Sequence, residues 1–171
     1  MNAKAAKPLN PLRWLGLPVL LCIGATVLFS ATWRIFGFSL PEPVFAMAPA
    51  FAWALIRPSI LAPFAVLLMG TFLDIFWGGQ RGLWSLSLLA AYGAVLVTRP
   101  IIMGQGRLIM WIWYCAACAV AMGAGYVLVI AATGNLADPI AVLWQYLATA
   151  VLFPFADNLI ERFEDADVRF R

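Results

Sequence analysis

Long apolar runs, interrupted by single charges, glycines and prolines, make up most of the chain and predict helices of membrane-crossing length. A helix that crosses a hydrocarbon core of roughly 30 Å needs about 20 apolar residues. Six segments are candidates, over about residues 14–33, 44–56, 59–77, 83–98, 108–132 and 140–160. The first has Arg13 before it, Arg34 after it and a tryptophan at each end, where interfacial aromatic belts form. The second is short and carries Pro49, so the expectation is a tilted, kinked or partly crossing segment. It ends at Arg57-Pro58, because proline disfavours helical geometry in the residue before it. The third carries Pro63, a further candidate kink, together with Gly70 and one embedded acid, Asp74. Glycines in the stretch Gly78-Gly79-Gln80-Arg81-Gly82 permit a tight reversal into the fourth segment. The fifth is the longest, and the sixth contains Pro154 and leads into a tail of mixed charge.

Orientation follows from the basic residues, which favour the cytoplasmic side when loops are short. With the N-terminus inside, Lys4, Lys7, Arg13, Arg57, Arg99, Arg107, Arg162, Arg169 and Arg171 fall on the cytoplasmic side, and only Arg34 and Arg81 on the other. Removing the short second span would scramble this bias. The expected architecture is a single all-α membrane domain over residues 1–171, a six-transmembrane-helix bundle with N-terminus and C-terminus cytoplasmic. The first apolar run is longer than the central region of a signal peptide and is expected to be retained.

Composition narrows the chemistry. Hydrophobic residues make up 64% and charged residues 11% of the 171 positions, and the mean hydropathy is +0.92. A soluble domain of this size has too much surface relative to its interior to hide so many apolar side chains. The formal charge of +3 is scattered singly between apolar runs, which argues against a nucleic-acid face. Histidine is absent, removing the commonest general base and imidazole ligand. Cys22, Cys115 and Cys118 lie in apolar segments with no neighbouring cation to stabilise a thiolate, so packing is expected even for the C-x-x-C pair. With no metal-ligand cluster, phosphate loop or paired intramembrane carboxylates, neither enzyme nor cofactor is expected.

Asp74 is the first residue to examine, since a buried acid in a membrane usually faces the bundle interior, a partner or water. Arg57 precedes it by 17 residues, about 26 Å along a helix, which excludes an ion pair within that helix. Arg34, Arg81 or the amides of the glycine turn are its candidate partners. Two readings stay open: a carboxylate that pins the turn, or one that binds a partner or ligand. Gly70 lies one turn earlier on the same face and permits close helix approach. Arg57 reads as a topology marker that snorkels toward head groups. In the fifth helix Ala116, Ala117, Ala119, Ala121, Gly123, Ala124 and Gly125 make a segment able to pack closely against another helix, with Ala119 and Gly123 in small-xxx-small spacing. The eight tryptophans and twelve phenylalanines read mostly as lipid-facing or interfacial.

The order Arg57, Pro58, Gly70, Asp74, a glycine turn with Gly82, and a late Pro154 resembles the MreD family of bacterial rod-shape-determining membrane proteins. The stretch from Arg57 to Leu88 carries most of the likeness, and VLFPFADNLIERF is similar to that family's closing segment. Pro63 and the short second span depart from the pattern. The resemblance implies a non-enzymatic role in cell elongation at the inner membrane, with MreC as direct partner. MreB and the RodA-type and class B penicillin-binding synthases are then implied in the same complex. The alternative is a substrate-binding subunit of an energy-coupling-factor-type vitamin transporter, for which Asp74, Tyr92, Gln105, Tyr126 and Asn135 are the candidate polar residues.

Overall fold

The structure is a computed structural model that describes residues 15–35, 42–56, 59–136 and 138–168. These form seven helices: α1 (Leu17–Ile35), α2 (Met47–Ile56), α3 (Leu61–Phe76), α4 (Leu83–Ile102), α5 (Arg107–Thr133), α6 (Pro139–Ala150) and α7 (Phe153–Val168). Three stretches among the described residues are each long and apolar enough to cross a membrane: Leu83–Ile102, Arg107–Thr133 and Pro139–Glu161. The stretches Leu17–Ser30, Met47–Ile56 and Leu61–Phe76 are shorter apolar helices. The core is apolar, but large apolar side chains cover the outside as well. Leu20, Ile60, Ile75, Val97, Leu108 and Val151 face outward, whereas Thr26, Asp74, Ser85, Ser87, Thr149 and Asp157 are buried. That arrangement suits a protein solvated by lipid, where apolar surface costs nothing and a polar group must find its partner inside.

Proline positions explain the helix boundaries. Pro49, Pro63 and Pro139 each sit in the first turn of a helix, where the missing N–H would have no intrahelical acceptor in any case. Pro63 therefore starts α3 and does not kink it. Asp138 completes the start of α6 by accepting from the Ile140 amide at 3.0 Å. The expected sixth span is two helices, because Pro154 can neither donate to Ala150 nor avoid its carbonyl, and the chain turns at Val151 and Leu152 before α7. The fourth helix runs past the expected end at Thr98, through Pro100, to Ile102.

The short second segment occupies the centre of the bundle. Every residue from Val44 to Leu55 is buried, and α2 packs against α4 and α7 with further contacts to α3 and α5. Alanines alternate along it at 46, 48, 50, 52 and 54. Alternate positions step about 200° around a helix of 3.6 residues per turn, so the alanines present two opposite small faces on which neighbours approach closely. Phe51 and Trp53 fill the gaps, both fully buried, whereas most of the described phenylalanines and tryptophans are exposed or half-buried, as expected. Phe51 stands edge-on to Tyr114 of α5 at 5.3 Å.

Although α2 has only 10 residues, the segment reaches from one end of the bundle to the other. At one end the Glu42 carboxylate accepts from the Trp77 indole at 2.8 Å, beside the turn between α3 and α4. At the other, Arg99 near the end of α4 donates through Nε to the Leu55 carbonyl at 2.7 Å and through Nη2 to Ile56 at 3.5 Å. The helix covers about 15 Å, and the non-helical lead-in of residues 42–46 covers the remainder at up to about 3.5 Å per residue. Irregular backbone at this depth is tolerated because protein surrounds it. The Val44 amide donates to Thr149 Oγ1 at 3.1 Å.

Candidate functional site

The hairpin of α3 and α4 is built on three of the residues singled out from sequence: Gly70, Asp74 and Gly82. A Cβ on Gly70 would lie 2.4 Å from Ser85 Cα and 2.7 Å from Ser85 N. Only glycine allows the two backbones to approach so closely. One turn further along the same face, Asp74 is 5% exposed and receives the start of α4. Its Oδ1 accepts from the Trp84 amide at 2.7 Å. Its Oδ2 accepts from the Gly82 amide at 3.0 Å, the Ser85 hydroxyl at 3.0 Å and the Ser85 amide at 3.4 Å.

These are the orphan N–H groups of a helix N-terminus, and a carboxylate there also meets the positive end of the helix dipole. Gly82 makes the geometry possible, since its φ of 89° is a left-handed conformation that a Cβ disfavours. Of the partners proposed for Asp74 from sequence, the turn amides take the carboxylate. Ser85 is the residue that sequence reasoning missed: it donates to Asp74, contacts Thr71 Oγ1 at 3.2 Å and offers the backbone against which Gly70 packs. A polar residue three positions after the turn, within an apolar run, was its only signal.

Around this core the turn is braced by Trp77 and Trp84, whose rings meet edge-on at 5.0 Å. A hollow of about 690 Å³ opens between Thr71, Asp74, Gly79, Arg81 and Ser85. Arg81 lines it as an exposed side chain. With its oxygens already holding four donors, Asp74 is a structural acceptor that orders a shaped, glycine-rich rim.

Pro154 is not part of this site. It lies beside Arg107, near the opposite end of α4, whose 20 residues span about 30 Å. Arg57 and Pro58 lie outside the described residues. The polar residues that a transported ligand would need are dispersed. Tyr92 is buried in α4, Tyr126 borders a small cavity of about 160 Å³ beside Trp84, and Gln105 and Asn135 are exposed in separate turns. Among the described residues no hydrogen bond joins any two of the five candidates.

Close packing also joins α4 to α5 through the small-residue segment of α5, though not through its Ala119 and Gly123 pair. Ala119 and Gly123 are exposed, while Ala117 and Ala121 are buried. A Cβ on Gly125 would come to 3.1 Å from Ser87 Oγ. The three thiols are free, Cys22 and Cys118 being buried. Among the described residues no three histidine, cysteine, aspartate or glutamate side chains converge on a metal position.

The described residues form an all-helical fold with three stretches long and apolar enough to cross a membrane, as in a membrane protein, and buried polar groups tie its helices to one another. No protein-family model, curated protein or solved structure matches the chain.

Proposed function

We propose that the chain is a six-pass protein of the bacterial inner membrane, with both termini cytoplasmic, that serves as an MreD-type subunit of the rod complex. In this role it catalyses no reaction and binds no cofactor. It binds MreC directly within the membrane and through that contact joins MreB and the RodA-type and class B penicillin-binding synthases of peptidoglycan. The observation that carries the reading is the α3–α4 hairpin. Gly70, Asp74 and Gly82, in the order on which the resemblance rests, are mutually dependent parts of one junction. A packed interior also supports an assembly subunit, because the buried carboxylates are engaged, Asp74 with α4 and Asp157 with Arg107.

Two features favour six passes. Residues 42–56 run the length of the bundle, and Arg99 and Arg107 flank the turn at the end where α2 finishes, on the side that the charge bias assigns to the cytoplasm. Affinity purification of the tagged protein from its host in mild detergent, with mass spectrometry of what accompanies it, tests the reading. Recovery of MreC and the cell-wall synthases is expected. Recovery of ATPase and coupling subunits instead would replace it with the transporter reading.

A further inference from the structure

Where α6 gives way to α7, the helix surface opens into a groove against the first turns of α5. The break at Val151 and Leu152, the small Ala150 and the proline in the first turn of α7 leave a volume of about 490 Å³. That falls within the range of about 300–1,000 Å³ typical of small-molecule sites. Its walls are apolar. Leu108 and Trp111 come from α5, Leu147 and Val151 from α6 and the turn, and Phe153 from α7. One charged side chain stands among them, Arg107, and Trp111 follows it by one turn on the same helix face.

Arg107 is held by an ion pair from its Nη2 to Asp157 of α7. The carboxylate is buried, whereas the arginine side chain remains 67% exposed. A guanidinium has five N–H donors in a rigid fork, so one engaged nitrogen fixes its place and leaves donors for an anion. A cation at the mouth of an apolar trough, with an indole one turn further along α5, complements an amphiphile that has an anionic head and a hydrocarbon tail. A partner helix would instead need an acid of its own opposite Arg107.

We propose that this groove binds one acyl chain of an anionic phospholipid, with the phosphate on Arg107 and the ester end of the chain beside Trp111. The site is independent of the partner assignment above and lies at the opposite end of α4 from the Asp74 hairpin.

Native mass spectrometry of the delipidated full-length protein, titrated with phosphatidylglycerol or with phosphatidylcholine of the same chains, reads it directly. One phosphatidylglycerol should bind, preferred about fivefold over phosphatidylcholine, the weight of a single arginine toward an anionic head group. Val151→Trp fills the trough without touching the ion pair and should lower that binding about tenfold, with the thermal unfolding of the lipid-free protein unchanged. If Val151→Trp itself lowers the unfolding temperature, Leu108→Trp fills the trough from the α5 wall. Arg107→Lys keeps a cation for Asp157 and loses the fork that grips the phosphate both lipids carry, so it should weaken the binding of both while leaving the charge-based preference for phosphatidylglycerol near about fivefold. Equal binding of the two lipids overturns the proposal. So does phosphatidylglycerol binding that survives the filled trough, or a filled trough that blocks recovery of a protein partner while lipid binding persists.

Discussion

Gly70 and Gly123 are both mid-helix glycines with opposite expected tolerances. Alanine at Gly70 would drive a methyl group into the backbone of α4 at 2.4 Å, and no flexible side chain is there to yield. Gly70→Ala should therefore destabilise the protein by about 1–3 kcal/mol, the range for overpacking a tight contact. At Gly123 an added Cβ meets nothing within 4 Å, and alanine is the better helix former. Gly123→Ala should be neutral or slightly stabilising, and thermal unfolding in mild detergent, followed by circular dichroism, checks the pair. Asp74→Asn is less conservative than it looks. Both carboxylate oxygens accept from N–H or O–H donors, so the amide nitrogen must face a donor whichever way the side chain turns. A loss of about 2 kcal/mol is expected, the scale of a hydrogen bond to a charged group. If the same assay finds Asp74→Asn as stable as the parent, the carboxylate is not what holds the start of α4.

Hydroxyls have two uses along these helices. Thr26, Thr71, Ser87, Thr98 and Thr149 each donate to the carbonyl four residues earlier, which hides the hydroxyl within its own helix. Thr149 does more, because its oxygen also accepts from the buried Val44 amide. Thr149→Val keeps the shape and strands that N–H, so it should cost about 1–3 kcal/mol. Thr98→Val removes only a back-bond and should stay within about 0.5 kcal/mol of the parent. Equal stability of the two variants would mean that Val44 finds another acceptor and that the lead-in to α2 is not fixed by α6. Prolines divide by position: in a first turn, as with Pro154 in α7, they define where a helix begins, while Pro100 lies inside α4.

Across the bundle, apolar side chains both fill the core and face outward, and the few buried polar ones find partners within. In lipid, helices gain little from burying apolar surface against one another, so contact rests on close packing and on satisfied polar groups. α2, ringed by neighbours and lined by alanines, is where that packing concentrates. The proposed six passes predict opposite sidedness for consecutive turns. In a background lacking the native cysteines, Gly79→Cys should react with an impermeant maleimide on intact cells, and Gln105→Cys only after permeabilisation. Labelling of both from the same side would remove the six-pass assignment.

Much of this was legible in the chain itself. The helical, lipid-compatible character follows from the length and apolarity of the runs, because a membrane selects on those properties directly. The Gly70–Asp74 spacing likewise announced a shared face, since helical periodicity alone puts residues four apart together. Tertiary structure decided the rest. A helix apolar all round suits lipid as well as protein, so nothing local distinguishes α2 at the centre of the bundle from a span at its edge. Two small-residue stripes interleave on α5, and only the position of α4 selects Ala117, Ala121 and Gly125 over Ala119 and Gly123. Arg99 carries the same charge whether it marks the cytoplasmic side or caps α2, and its role is set by which carbonyls the fold brings within reach.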